Sequence, residues 1–205
     1  MKRAAIIVFL FLVSSMVSCA GTLNYPITLS YQPLKQYERT GGVPVTVALL
    51  SDERQVSDKK VIGKKEGGTP FISLVGEPAE SLSKGFASYL DNRGYKVSMR
   101  KETWDGNPKS LNPDWGAVVV GGTLDDIALN VTGNLIKTEY IYSIKFTICI
   151  ADAKTRELLH KEKIEVSSSY ETVPFSREKA EELMNKALSE AVERGLADIN
   201  KYMPK

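Results

Sequence analysis

Tyr140-Ile141-Tyr142-Ser143-Ile144-Lys145-Phe146-Thr147-Ile148-Cys149-Ile150 is the stretch that decides the fold. Tyr140, Tyr142, Ile144, Phe146, Ile148 and Ile150 fall on one side of a period-two pattern, with Ser143, Lys145 and Thr147 on the other. Successive side chains of a strand point to opposite faces, so this pattern predicts a strand with one buried face. Asp152-Ala153-Lys154-Thr155 reads as a turn, and Leu158 to Tyr170 returns antiparallel with Ile164 and Val166 facing inward. Cys149 sits within the apolar strand and reads as a small buried hydrophobe.

Downstream, Ser176 to about Met203 predicts a closing helix. Ser176 is its cap and Glu178 lies in its first turn. Ala180, Leu183, Met184, Ala187, Leu188, Ala191, Val192, Leu196, Ile199 and Met203 form its apolar stripe. The polar face holds Glu181, Glu182, Glu190, Glu193 and Asp198, which anionic lipid would repel, so the stripe is expected to pack on a sheet.

Upstream, Ala117 to Val120 starts a strand that Gly121-Gly122 is expected to bend before Ile127, Leu129 and Val131 resume the alternation. Tyr95 to Met99 begins another strand. Glu77 to Arg93 is a helix with Pro78 in its opening turn and Gly94 as its stop. Val43 to Leu50 is apolar on both faces and suits a strand inside the sheet. Residues 52–76 form a long polar segment in which Phe71 to Val75 adds a short strand. Tyr25 to Tyr31, broken by prolines, is at best an edge strand. The fold class is therefore α+β. A mixed, mostly antiparallel sheet of about four to six strands carries two amphipathic helices on one face.

Met1 to Cys19 has the build of a secretory leader. Lys2 and Arg3 precede an apolar run from Ala4 to Val13, and small residues follow. The run is too short to cross a bilayer, which takes roughly 20 apolar residues. Met16-Val17-Ser18-Cys19 resembles a bacterial lipobox, in which the cysteine is acylated and becomes the new N-terminus. The expected organisation is a signal at 1–18, a lipidated Cys19 with tether and lead-in at 19–42, and one domain at 43–205. Ala20-Gly21-Thr22 places no acidic residue after the cysteine, which suggests sorting to the outer membrane, with the domain facing the periplasm. Losing Lys2 and Arg3 with the leader leaves Lys and Arg equal in number to the 25 Asp and Glu. A neutral chain argues against nucleic acid as a partner. With Cys19 acylated, Cys149 has no disulfide partner.

The chain resembles the YajG-like family of small bacterial lipoproteins across most of its mature length. The resemblance rests on the lipobox, on the strand Val43–Leu50 ending in Asp52-x-Arg54, and on Gly63. It also rests on the helix ending Asn92-Arg93-Gly94-Tyr95-Lys96-Val97, and on a hairpin leading into a C-terminal helix. It implies an outer-membrane lipoprotein with no catalytic residues to carry over.

The chemical motifs are thin. Ser81-Leu82-Ser83-Lys84 matches S-x-x-K, but S-D-N and K-T-G are absent. His160 is the sole histidine, so no His-rich zinc site is expected, and no cofactor is implied. Asp125-Asp126 reads as solvated surface, its two side chains pointing different ways along a strand. Asp52 and Arg54 at a strand end suggest an ion pair fixing a loop. With Lys64 and Lys65 they are the candidate partner contacts. The expected role is a non-enzymatic, lipid-anchored accessory protein that binds an envelope protein. The alternative is an auxiliary lipoprotein that binds lipid or glycan through Trp104, Trp115 and the aromatic strand face, in envelope lipid transport or lipopolysaccharide assembly.

Overall fold

The alternating stretch forms the middle of a three-stranded meander. In the computed structural model, which describes residues 24–39, 42–66, 71–133 and 136–203, the strands in chain order are β1 (Asn24–Ile27), β2 (Pro44–Leu49), β3 (Ser51–Asp52), β4 (Val61–Lys64), β5 (Phe71–Leu74), β6 (Lys96–Thr103), β7 (Val118–Gly133), β8 (Thr138–Asp152) and β9 (Glu157–Thr172). The helices are α1 (Pro78–Asn92) and α2 (Arg177–Gly195). β7 pairs antiparallel with β8 from Val118↔Asp152 to Gly133↔Thr138, and β8 pairs antiparallel with β9. On its other side β7 takes β2 in parallel, with β6 parallel outside β2 and the short β3 further along β7. The chain reaches β6 from β2 by a crossover through α1, as parallel neighbours require.

The fold is mixed α+β, and it holds more strands than the periodicity predicts. Residues 52–76 are not one polar loop. β4 and β5 pair antiparallel and, with β1 parallel to β5, make a second sheet in the order β1-β5-β4. Gly63 explains part of the miss. Its backbone lies so close to Leu129 of β7 that a Cβ there would overlap the Leu129 carbonyl. Gly121-Gly122 does not interrupt the strand. β7 is continuous, and Gly121 serves instead to seat the Trp104 ring, which a side chain would displace. The closing helix also ends earlier than expected, at Gly195, and a 3₁₀ turn at Ile199–Tyr202 follows. Ser176 caps α2 as predicted, accepting from the Lys179 amide at 3.2 Å.

One buried cluster joins Val45, Val120, Phe146, Ile148 and Ile164 of the sheet to Leu82, Phe86 and Leu90 of α1 and Leu183, Leu188 and Val192 of α2. Phe86 meets Phe146 edge to face at 5.4 Å, worth about 0.5–1.5 kcal/mol beyond the area it buries. A smaller cluster on the other side of the sheet packs Ala48, Val119, Cys149 and Ala151 under Trp104, Leu111 and Trp115.

The lead-in is bound to α2 in an unusual way. The amides of Thr28, Ser30, Gln32 and Leu34 donate to the side chains of Glu181, Asn185, Ser189 and Glu193, at 2.8–2.9 Å. Two residues of extended chain rise about 6.6 Å and four residues of helix about 6 Å, so the two repeats stay in step. A stripe of helix side chains thus does the work of a neighbouring strand. Burial and then the Glu193 carboxylate push the Tyr31 phenol up, which keeps it a donor to Glu193 at 3.2 Å.

Candidate functional site

The polar pair at the end of β3 closes a loop on itself. The Arg54 guanidinium donates to both Asp52 oxygens, through Nε at 2.9 Å to Oδ1 and Nη2 at 2.6 Å to Oδ2. Nη2 also donates to the Lys59 carbonyl at 2.6 Å, and the Lys59 ammonium reaches Asp52 Oδ1 at 3.2 Å. Arg54 is 5% exposed. Burial alone would raise the Asp52 carboxyl, but the hydrogen bonds from Arg54 outweigh it and hold the group below its ordinary value. Both members are engaged within the loop, as the ion-pair reading expects.

Lys64 and Lys65 lie elsewhere, where β4 meets the far end of β7. Lys64 pairs with Phe71 of β5 and is exposed. Lys65 bridges to Val131, and the next amide, Glu66, donates to the Val131 carbonyl at 2.7 Å. That placement carries the Lys65 ammonium to 5.2 Å from the centre of the Phe175 ring. Phe175 stacks on Tyr140 at 6.1 Å and meets Tyr25 of β1 edge-on at 4.9 Å. The Tyr140 hydroxyl accepts from the Ser176 amide at 2.8 Å and donates to the Ser176 carbonyl at 3.2 Å, which fixes the aromatic wall to the start of α2. The result is an open groove of about 490 Å³, lined by Lys65, Glu66, Val131, Thr132, Thr138 and Phe175.

The structure therefore splits the four candidate contacts into Asp52 and Arg54, engaged internally, Lys65, at the groove, and Lys64, exposed one residue before it and outside the groove's lining. The groove offers a cation, a carboxylate, a hydroxyl and an aromatic wall, which suits a polar peptide surface. Phe175 escaped the sequence reading, whereas Tyr25 belongs to the edge segment Tyr25–Tyr31 that the sequence offers as a contact surface. The available signal was position, because Phe175 precedes the cap of α2, where an apolar residue often fixes the entry of the chain.

The other predicted residues fall outside this groove. Cys19 lies outside the described residues. Trp104 and Trp115 are buried in the smaller cluster, and the Trp104 indole donates to the Asn107 carbonyl at 2.9 Å, so neither lines a groove. Tyr140 and Phe146 are fully buried. Asp125 and Asp126 do not point apart. A bulge between Leu124 and Asp126 brings both to the open face, Asp125 accepting from Thr123 at 2.7 Å and Thr147 at 3.0 Å, and Asp126 from Ser143 at 3.2 Å. Lys84 pairs with Glu80 at 2.9 Å, and His160 stacks on Tyr202 at 4.8 Å. Burial pushes the Cys149 thiol up, away from the reactive thiolate. Among the described residues, no three acidic, histidine or cysteine side chains gather as metal ligands, and no helix is long and apolar enough to cross a membrane.

Neither a family model nor a curated protein matches the sequence. Solved structures match its fold. The crystal structure of a Xanthomonas campestris protein of the family DUF330 aligns with a TM-score of 0.58 at 9% identity. The alignment covers 87% of this chain and 96% of that one. A hypothetical protein of Chlamydia trachomatis aligns with a TM-score of 0.47 at 11% identity, over 78% of this chain and 97% of that one. The Xanthomonas likeness shows a shared fold. At such identity it says nothing of activity.

Proposed function

We propose that the chain is a non-enzymatic, lipid-anchored accessory protein of the bacterial outer membrane, of the YajG-like kind, which binds an envelope protein on the periplasmic side. The observation that carries this is the junction between leader and domain. Cys19, at the end of a lipobox, stands five residues before Asn24, where β1 joins the small sheet. Lys65 beside the Phe175 wall, with the exposed Lys64 next to it in the chain, is the contact surface this reading favours, because Asp52 and Arg54 already satisfy each other.

The test compares wild type, Cys19→Ser and the double variant Lys64→Glu/Lys65→Glu, each purified gently from its own envelope fraction. The reading expects a stoichiometric protein partner with wild type, none with Cys19→Ser, and weakened capture by a folded double variant. Unchanged capture by the double variant removes the groove from the reading. An unacylated wild-type Cys19 removes the anchor.

A further inference from the structure

The two ends of the domain differ in a way that bears on how it meets a membrane. Asn24 pairs with Phe71, Phe71 with Lys64, and Lys65 with Val131. Val131 pairs with Tyr140, and Tyr140 with Tyr170. The chain thus enters the fold at the end of the sheet formed by the β7–β8 turn and the close of β9. At the other end Val119 pairs with Ala151, and Ala151 with Leu158. Twelve residues of β7 separate Val119 from Val131, a rise of about 40 Å.

Exposed apolar side chains gather at the entry end. Val56 and Phe71 border a shallow hollow of about 790 Å³ together with Asn24, Gln55 and Val61. Ile141 and Tyr170 stand exposed beside the last turns of the meander, Ile136 at its tip and Val173 just beyond β9. Lys179 lies over the Tyr170 ring at 4.5 Å, and Lys137 pairs with Glu171 at 2.7 Å. Lys64, Lys65, Lys137 and Lys179 are interleaved with Glu66, Glu139, Glu171 and Glu182, so neither sign dominates this end.

We infer that this rim rests on the bilayer that holds the anchor, with Val56, Phe71, Ile141 and Val173 dipping into the interface. The inference depends on acylation of Cys19. Five residues of fully extended chain reach at most about 18 Å, so an acylated Cys19 holds Asn24 within that distance of the lipid. Such a tether gives the domain little freedom to turn the rim away. Apolar tips with flanking lysines and tyrosine are what the boundary between headgroups and acyl chains accepts, to a depth of roughly 5–10 Å. The balanced charge matches a zwitterionic surface better than a strongly anionic one. Leu158 and the 3₁₀ turn at Ile199–Tyr202 then project away from the membrane, and a protein that reaches Lys64 and Lys65 must itself lie at the membrane surface.

The test uses the full-length acylated protein in phosphatidylcholine vesicles carrying a fraction of lipid spin-labelled near the headgroup. An environment-sensitive fluorophore is placed on Phe71→Cys, Val173→Cys or Leu158→Cys, the buried Cys149 staying unlabelled. All three positions are exposed, so the fold tolerates them. The expected result is quenching several-fold stronger at Phe71 and Val173 than at Leu158. Equal quenching at all three, in protein that floats with the vesicles, overturns the orientation while leaving the anchor standing. Protein that does not float overturns the anchor, and the orientation with it.

Discussion

The β7–β8–β9 meander and the small β1-β5-β4 sheet hold together by different means. The meander is built from neighbours in the chain. Its strands run fifteen or sixteen residues each, and β8 is apolar along one face, while β9 adds only Ile164 and Val166 to the core. The small sheet is built from three four-residue pieces, at Asn24–Ile27, Val61–Lys64 and Phe71–Leu74. Its first strand leads into a strap whose amides are satisfied by helix side chains. The meander thus carries a large part of the one buried cluster on its own strands, to which the small sheet adds Ile27, Ile62, Ile72 and Leu74. The small sheet depends on surfaces that the rest of the domain presents to it, and substitutions in the two regions should differ in both size and reach.

The largest effect belongs to the meander. Phe146 is fully buried, meets Phe86, and lies where a Cβ on Gly195 would touch it. Phe146→Ala should lower stability by about 3–5 kcal/mol in chemical denaturation, with one transition still shared by all probes. A loss confined to a single strand would mean that the meander has no shared core. Gly63→Ala comes next. The new methyl must displace the Leu129 carbonyl or push β4 away, at about 1–3 kcal/mol. Hydrogen exchange should quicken in β4 and β5 while β8 keeps its protection. Equal loss in both would mean that the small sheet is no separate unit.

The Asp52–Arg54 clamp sharpens the comparison through pH. The folded carboxyl of Asp52 lies below its unfolded value, so its contribution is present above that value and is lost as pH falls through the folded one. Wild type should therefore lose part of its stability below about pH 4 through this group. Asp52→Asn should flatten that part of the acid limb. It should also cost about 1–2 kcal/mol at neutral pH, because the buried guanidinium keeps a weaker acceptor. An unchanged acid limb would show that the clamp contributes no pH-dependent stability.

The same contrast explains which parts of the fold are legible in the sequence. β8 is legible because its own alternation states which face is buried, and its partner follows four residues after a turn. α1 and α2 are legible from cap, stripe and stop. The Asp52–Arg54 pair is legible because it is local. The small sheet is not, since Val61-Ile62-Gly63-Lys64 carries no alternation and its glycine signals close approach only once Leu129 is beside it. The groove shares that difficulty, because Lys65, Phe175, Tyr25 and Tyr140 are distant in sequence and meet only through β1, β4 and the cap of α2. The bulge at Asp125 hides in the same way, shifting a carboxylate across the sheet without changing composition.

The smallest expected effect concerns the strap. Asn185 sits on α2 and accepts from the Ser30 amide at 2.8 Å, and Ser189, fully buried, accepts from Gln32 at 2.9 Å. Asn185→Ala removes one acceptor from a ladder of four, and the strap can lift locally to let water replace it. Global stability should fall by only about 1 kcal/mol. The reach of the change should be narrow as well. Hydrogen exchange should accelerate at Thr28, Ser30 and Gln32, leaving β8 and α1 unaltered. Glu181, Asn185, Ser189 and Glu193 recur every four residues along α2, so a double change, Asn185→Ala with Ser189→Ala, should cost more than the two singles combined. Each lost rung lengthens the unsupported strand between the remaining ones. Simple additivity would mean that each amide is held independently, and that the match between helix and strand repeats does not stiffen the lead-in.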